Sequence, residues 1–365
     1  MNQELQEKLD LYKKQLDKLF RTSRLISTDS KEEKERIFRV LKAPCDRLPL
    51  YRYCKLDAEG YVLSMLRHGT VTLSNPKIFN DPFDALLYVD REKVLKEQQR
   101  YPPERIIEEV NAIRGGKSPN PELDVVIQKF FKYMASLPEA DVRKALMCGS
   151  LQMEKNTSLL IDNTIAYLRG RIRIACFSER YDSPLMWAHY ADSGRGICVE
   201  YDVPLTSEPS CFVHGLSSER GCFLSMFPVI YTDERYDATH IAEDFILLSL
   251  AIAMREEKNC DSSKYDLLKN LKISLYKSRD WEYEREWRMF TYPFLPTDQD
   301  RVFIDKKQIT SVILGYNMVD VQKESVLEAL RTYKIVSKNT IKIKRLVVDT
   351  DSSKYALRIE DVCEI

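Results

Sequence analysis

The chain has 365 residues, of which 44% are hydrophobic and 31% charged, so it is long enough to bury a substantial core in one or two domains. Lysine and arginine together number 56, as do aspartate and glutamate, which excludes the global basic charge that by itself would indicate nucleic-acid binding. No apolar run approaches the ~20 residues that cross a bilayer, and the first residues lack a signal-peptide pattern, so we expect a cytoplasmic protein without a membrane partner.

The nine cysteines are scattered without a Cys-x-x-Cys pair, and their number is odd. They indicate neither a disulfide framework nor a zinc site, and we interpret them as mostly small buried thiols. None of the four histidines stands in His-x-x-x-His spacing. We therefore expect no metal at a histidine-based centre.

Residues 1–45 are predicted to form an N-terminal helical segment. Apolar residues recur there at alternating four- and three-residue steps, at Leu5, Leu9, Tyr12, Leu16 and Leu19. This seam lasts about two heptads, which favours a helix docked on its own domain over a helix that binds a second copy or a partner protein. Ser30 and Glu33 form a capping box that predicts a second helix, ended by Pro44.

Residues 46–365 are predicted to form a single α+β domain with mixed, largely antiparallel sheets. Short alternating stretches bounded by turn residues predict strands at 50–54, 70–74, 171–178, 197–202, 229–231, 301–304, 309–314, 341–348 and 356–359. Helical periodicity predicts a helix that Gly69 closes, a short one at 184–191, and helices at 239–278 and 320–333. Because the strands come as antiparallel-looking neighbours with helices between them, α+β is favoured over a doubly wound parallel sheet.

A helical insertion is predicted at about residues 91–169, with breaks at Pro102-Pro103 and around Gly115-Gly116-Lys117-Ser118. The second break resembles a phosphate-binding loop, but the first glycine of that motif is missing, no strand precedes it and prolines follow it. We interpret it as a helix connector.

The stretch Trp281–Arg288 holds two of the three tryptophans and three glutamates. Interpreted as an extended strand, it places Glu282, Glu284, Glu286 and Arg288 on one face and Tyr283, Arg285 and Trp287 on the other. Like charges in line on one face oppose each other's ionisation. The row is therefore expected to be solvated or to face something positive.

Three further clusters place polar groups beside aromatic ones: Tyr51-Arg52-Tyr53, Ser74 with Asn80-Asp81, and Trp187 with His189-Tyr190. A buried core does not need this mixture, so these residues are candidates for a binding or catalytic site.

Several blocks of the sequence resemble a prokaryotic family known as domain of unknown function 2971. They are Phe79–Asp84, Cys176–Ser178, Leu185–Ala191, Gly196–Asp202 and Trp281–Arg288, and their order matches over roughly residues 50–360. The family implies no activity.

The layout is also similar, more loosely, to that of ADP-ribosyltransferases, several of which serve in toxin and phage-defence systems. The similarity lies in an early strand with an arginine between aromatics, a following strand that ends in serine, and a late strand with Glu-x-Glu. It implies an NAD-cleaving transferase that acts on a macromolecular acceptor, protein or nucleic acid. A Ser-Thr-Ser triplet is absent, since the second strand reads Thr72-Leu73-Ser74-Asn75.

The resemblance implies a role for each matching residue. Arg52 would hold the NAD pyrophosphate, Ser74 would support the nicotinamide-ribose pocket, and Tyr53 or Trp187 would stack on nicotinamide. Glu286 would accept a hydrogen bond from the ribose 2′-hydroxyl and stabilise the oxocarbenium-like state, and Glu284 would orient or deprotonate the acceptor. Asn80, Asp81 and Tyr190 are further candidates for NAD binding, and His189 is a candidate catalytic base. Three glutamates in line leave the identity of the catalytic one open.

Each candidate also has an ordinary structural interpretation. The tryptophans are often core anchors, and Glu284 and Glu286 fit an ion network with cations on neighbouring strands. Asn80-Asp81-Pro82 is typical of a capped turn, and His189 of a residue that pins a helix. The arginine between Tyr51 and Tyr53 fits a strand residue whose stem lies on apolar surface.

Two other functions remain open. One is a non-catalytic module that senses a nucleotide or phage component through the same pocket. The other is a nucleic-acid-processing enzyme in which Asp81, Asp84 and the glutamates bind a divalent metal. Transfer chemistry requires Arg52, Ser74 and Glu286 to converge on one cleft, and we expect Glu286→Gln to abolish nicotinamide release while the fold is kept.

Overall fold

The structure is a computed structural model that describes residues 3–22, 36, 39–121, 123, 125–150, 153–205, 223–243, 272–292, 301–303 and 308–365. It divides the chain into two compact units. The first comprises Met1–Asp84, Arg171–Glu234 and Ser274–Ile365, and the second comprises Ala85–Gly170 and Arg235–Ile273. Within the described ranges, no helix combines the length and apolarity that crossing a membrane would require.

An eight-stranded sheet forms the body of the first unit. Its strands are β1 (Arg47–Cys54), β3 (Ile174–Ser178), β4 (Ile197–Pro204), β5 (Phe223–Pro228), β8 (Glu286–Tyr292), β10 (Ile309–Leu314), β11 (Lys342–Val348) and β12 (Leu357–Glu364). They lie in the order β12-β11-β10-β4-β1-β3-β8-β5. Among the described pairings of this sheet, only that of β10 with β11 is parallel, so the predicted α+β class with a largely antiparallel sheet is confirmed.

Two small sheets accompany this large one. In the first, β2 (Thr70–Thr72) pairs antiparallel with β9 (Arg301–Phe303). In the second, β6 (Ile230–Thr232) pairs in parallel with β7 (Tyr276–Ser278). The helix predicted to reach residue 278 is wrong at this point, because residues 276–278 are a strand; residues 244–271 lie outside the described part of the chain.

Two of the helices of the first unit have caps that the sequence supplies. The helices of this unit include α1 (Gln3–Thr22), α2 (Tyr61–His68), α8 (Pro184–Tyr190) and α9 (Asp320–Ser337). Asp57 accepts hydrogen bonds from the first backbone N–H groups of α2, and Gly69 ends that helix in the left-handed conformation. Ser183 caps α8, and Pro184 occupies its first turn.

The apolar seam of α1 is buried. Leu9, Tyr12, Leu16 and Leu19 are at most 3% exposed, and the hydroxyl of Tyr12 donates to the carbonyl of Leu41 at 2.9 Å. The interpretation as a helix docked on its own unit is therefore confirmed for this seam. The capping box of the predicted second helix lies outside the described residues.

Helices make up most of the described part of the second unit. They include α3 (Arg91–Gln99), α4 (Pro103–Arg114), α5 (Val125–Ser136), α6 (Glu139–Ser150) and α7 (Met153–Arg171), whose last residue belongs to the first unit. One apolar cluster joins Val110 of α4, Phe131 of α5 and Val142 of α6. Residues 115–118 lie between α4 and α5, which confirms that this segment is a helix connector.

Candidate functional site

A cavity of about 340 Å³ opens in the large sheet of the first unit. Strands β1 and β3 are neighbours but pair only at Tyr51 and Ser178, and the cavity is lined by residues of both strands where they separate. Nine of the ten candidate residues line it: Arg52, Tyr53, Ser74, Asn80, Asp81, His189, Tyr190, Glu284 and Glu286. Residues from five separate stretches of the sequence, 52–53, 74, 80–81, 189–190 and 284–286, therefore meet in one place.

The stretch Trp281–Arg288 is not the continuous strand that its alternation predicts. Arg279–Glu284 form a 3₁₀ helix, Arg285 has a left-handed φ of 44°, and β8 begins only at Glu286. The two-residue period is therefore broken between the glutamates. Glu282 is exposed and lies 3.7 Å from the guanidinium of Arg279, whereas Glu284 and Glu286 are each 3% exposed and face the cavity.

Glu286 is the centre of a buried ion network. One of its oxygens lies 2.7 Å from Nε of Arg288, and the other lies 2.9 Å from Nζ of Lys277 and 3.1 Å from Nη2 of Arg288. Burial opposes ionisation, but the charges of Arg288 and Lys277 outweigh it and hold the pKa of Glu286 below its ordinary value. This glutamate is held as a carboxylate.

Asp84 completes the network from the other side. Its two oxygens accept from Nη1 and Nη2 of Arg288 at 2.8 and 2.6 Å, a bidentate pair in which both side chains are fully buried. Arg288 also donates to the backbone carbonyl of Ser274. The predicted alternative of a structural ion network is thus realised for Glu286, with Arg288 and Lys277 as the cations.

Glu284 has a different environment. Its oxygens accept from the hydroxyl of Tyr190 at 2.6 Å and from Nζ of Lys277 at 2.6 Å. Burial and the negative charge of Glu286 raise the pKa of Glu284, against the opposing effects of Lys277 and Tyr190. The two glutamates therefore have pKa values shifted in opposite directions, a pattern that separates a permanent anion from a group that exchanges protons.

Two buried polar atoms at the cavity have no hydrogen-bond partner among the described residues: Nη1 of Arg52 and Oδ2 of Asp81. Nη2 of Arg52 donates to the carbonyl of Thr72 at 2.9 Å, and the guanidinium lies 5.9 Å from the centre of the Phe177 ring. Nη2 of Arg52 is thus held by the protein, while Nη1 has no such partner among the described residues. Leaving a buried polar atom unpaired costs about 1–3 kcal/mol, so each such atom calls for an explanation.

Backbone contacts fix the position of Ser74. Its N–H and carbonyl exchange hydrogen bonds with Ile174 at the start of β3, at 2.7 and 2.9 Å. The serine therefore extends the small β2 segment to the rim of the cavity. Asn80 and His189 are exposed at the same cavity.

Trp187 does not have the stacking role considered for it. It is fully buried, its Nε1 donates to the carbonyl of Tyr181 at 2.7 Å, and it does not line the cavity. The ring of Tyr53 meets it edge to face at 5.3 Å, and the hydroxyl of Tyr53 donates to the carbonyl of Arg180. Trp187 is a core anchor, and so is the fully buried Trp287, whose Nε1 donates to Glu179.

Lys277 is the site residue that the sequence did not reveal, because it was assigned to a helix. It is 8% exposed and bridges Glu284 and Glu286. Its neighbours, Ser274-Leu275-Tyr276-Lys277-Ser278, do not alternate between polar and apolar residues, so the sequence carries no clear strand signal at this position.

In the described part of the chain, no arrangement of side chains supports the alternative of a divalent-metal site. No group of three or more histidine, cysteine, aspartate and glutamate side chains there is placed to hold a metal ion. The oxygens of Glu284 and Glu286 are instead occupied by Lys277, Arg288 and Tyr190.

Comparison with known proteins yields one match. No curated protein and no solved structure matches the chain. The match to a family model begins at Met186, so it includes all but the first residue of the block Leu185–Ala191. It also includes the blocks Gly196–Asp202 and Trp281–Arg288. The blocks Phe79–Asp84 and Cys176–Ser178 lie outside it. Residues 186–289 match the model of a protein family of unknown function, DUF2971, which confirms the predicted resemblance over that range.

Proposed function

We propose that the cavity binds NAD and that the protein is an ADP-ribosyltransferase-like enzyme, which cleaves NAD and transfers ADP-ribose to a macromolecule. The observation that carries the proposal is the convergence of Arg52, Ser74, Glu284 and Glu286 on one cavity, together with a donor of Arg52 that has no partner among the described residues. At about 340 Å³, the cavity falls within the range of roughly 300–1,000 Å³ that is typical of small-molecule sites.

Arg52 supplies the positive charge for the pyrophosphate. Its planar guanidinium suits phosphate oxygens, and its second nitrogen is already held by Thr72, so little side-chain freedom remains to be lost on binding. Phe177 supports the guanidinium from one side.

The glutamates divide the chemistry between them. When the bond between ribose C1′ and nicotinamide breaks, the electron pair leaves with nicotinamide and C1′ becomes positively charged. Glu286, which is held ionised by Arg288 and Lys277, stabilises that charge and accepts a hydrogen bond from the 2′-hydroxyl. The acceptor then attacks C1′, and Glu284, whose pKa is raised, takes the proton that the acceptor loses.

We further propose a cytoplasmic toxin or phage-defence system as the setting, because this is where proteins with the resembling layout serve. The acceptor, a protein or a nucleic acid, then belongs to the cell or the phage. Its approach would be to the open side of the cavity, at the exposed residues Asn80 and His189.

A second candidate is a binding module that senses a nucleotide without cleaving it. The observation that favours it is the saturation of Glu286, both of whose oxygens are engaged by Arg288 and Lys277. In that case the glutamates stabilise the fold, and Arg52 and Asp81 alone contact the ligand.

Titration calorimetry with NAD tests binding in either case. We expect Arg52→Lys to weaken NAD binding by about tenfold or more, because lysine cannot reproduce the planar fork. Arg47→Lys is the matched control, since Arg47 lies on the same strand but pairs with Asp202 at the surface. Equal effects of the two substitutions, or tight binding of another nucleotide with none of NAD, would refute the NAD site.

A further inference from the structure

Asp81 is a buried carboxylate to which the proposed transfer chemistry gives no role. The side chain is 3% exposed. Its Oδ1 accepts from the backbone N–H of Phe83 at 2.8 Å, whereas Oδ2 has no partner among the described residues. Asp81 is one of the residues that line the cavity. A buried carboxylate oxygen needs a donor, so a ligand that enters the cavity is expected to supply an N–H or O–H at this point.

The position of Asp81 is tied to the reacting end of the cavity. Its carbonyl accepts from the N–H of Asp84 at 3.1 Å, and the carboxylate of Asp84 is held by Arg288, the residue that also holds Glu286. The turn 81–84 is thus anchored on the same network as the proposed catalytic glutamate. Asp81 therefore lies in a turn that is anchored beside the proposed catalytic glutamates.

We propose that Asp81 determines specificity by accepting a hydrogen bond from the carboxamide N–H₂ of nicotinamide, an inference that rests on the proposed function. The flanking Phe79 and Ile78 line the same cavity and offer apolar contact to the pyridine ring. A carboxylate accepts hydrogen bonds but donates none, so it suits an amide and repels the carboxylate that nicotinic acid carries in its place. The site is selective for the amide form of the dinucleotide.

The experiment compares NAD with nicotinic acid adenine dinucleotide, which differs only in that group. Dissociation constants are measured by calorimetry for the full chain and for Asp81→Asn. We expect the wild type to prefer NAD by about tenfold or more, and the variant to lose most of that preference because asparagine offers an N–H donor to the carboxylate. Asparagine keeps an oxygen for Phe83, so the turn is preserved; Asp351→Asn, at an exposed turn, is the control.

The outcomes separate this inference from the proposed function. If the wild type binds NAD but binds the acid form equally well, the inference is overturned, whether or not the variant folds. It is also overturned if Asp81→Asn weakens both dinucleotides by the same factor, which would place a ribose hydroxyl at Asp81. If the wild type binds neither dinucleotide, both the proposed function and the inference about Asp81 are refuted.

Discussion

At the scale of residues, the ion network around Glu286 holds unequal numbers of positive and negative charges. Asp84, Glu284 and Glu286 face Lys277 and Arg288, so three carboxylates share two cations. Glu286 and Arg288 make the most contacts within the network. The surplus negative charge affects Glu284, because burial and the charge of Glu286 raise its pKa. The chemistry assigned to Glu284 follows from this imbalance.

Glu286→Gln tests the structural side of the network. A neutral side chain leaves Arg288 and Lys277 with less compensation in a buried site, so we expect a loss of about 3–5 kcal/mol in the free energy of unfolding at pH 7. Urea unfolding measures it. Glu282→Gln, at an exposed glutamate of the same stretch, should change stability by less than about 0.5 kcal/mol.

The pH dependence of that loss has a definite sign. Because the pKa of Glu286 is lower in the folded state, its stabilising effect is fully present above the unfolded pKa of about 4.3 and fades as the pH falls towards the folded value. The stability difference between wild type and Glu286→Gln should therefore shrink on acidification. A difference that is constant with pH would contradict the ion network.

The sequence led us to expect that Glu286→Gln abolishes nicotinamide release while the fold is kept. Because Glu286 holds the buried network together, its substitution is expected to affect stability as well. Glu284 is therefore the better position for a kinetic test.

Tyr190→Phe tests the environment of Glu284. The tyrosine hydroxyl donates to Glu284 and lowers its pKa, so its removal should raise that pKa further. If Glu284 accepts a proton in the reaction, the rise of kcat/KM with pH should move to higher pH in the variant. A profile that loses amplitude but keeps its midpoint would show that Glu284 does not titrate in the reaction.

At the scale of elements, α1 is part of the first unit rather than an appendage. Lys13 lies 2.8 Å from Glu179, and Asp17 accepts from the hydroxyl of Tyr276, in addition to the buried seam. A contact of α1 with a second copy or another protein would have to use its opposite face.

Leu16→Ala tests this docking. Leu16 is fully buried, so the substitution should cost about 2–5 kcal/mol of unfolding free energy. Leu11, on the same helix but 56% exposed, is the control, and its replacement by alanine should cost less than about 0.5 kcal/mol. Sedimentation should show the same mass for both variants as for the wild type. A change of mass with Leu16→Ala at unchanged stability would instead indicate that the seam joins two chains.

The sequence predicted elements better than it predicted the site. Alternation and turn residues located most strands of the large sheet, and Gly69 and Pro184 marked helix ends correctly. The strand predicted at residues 281–288 is wrong in its first half. A 3₁₀ helix followed by Arg285 in the left-handed conformation has the same alternation of residue types as a strand. Local periodicity carries no information about that single backbone change.

At the scale of the whole molecule, long-range pairing decides the site. Asp84 and Arg288 are far apart in the sequence, and only the sheet order, with β3 between β1 and β8, brings the loop after β2 next to the glutamates. Residue types pointed to Arg52, Asp81 and Glu286 as candidates, but the partners that determine their charge could not be derived from spacing. Every described residue that lines the cavity belongs to the first unit.

The most direct test of the account is nicotinamide release from NAD by the purified full-length chain. In this assay water takes the place of the acceptor, and Glu284 takes the proton that the water loses. We expect release by the wild type and by Glu282→Gln, and a loss of about a hundredfold or more with Glu284→Gln, since a positioned base typically contributes that much. An NAD-binding protein in which wild type and Glu284→Gln release nicotinamide equally, or not at all, would contradict the transferase and leave the binding module.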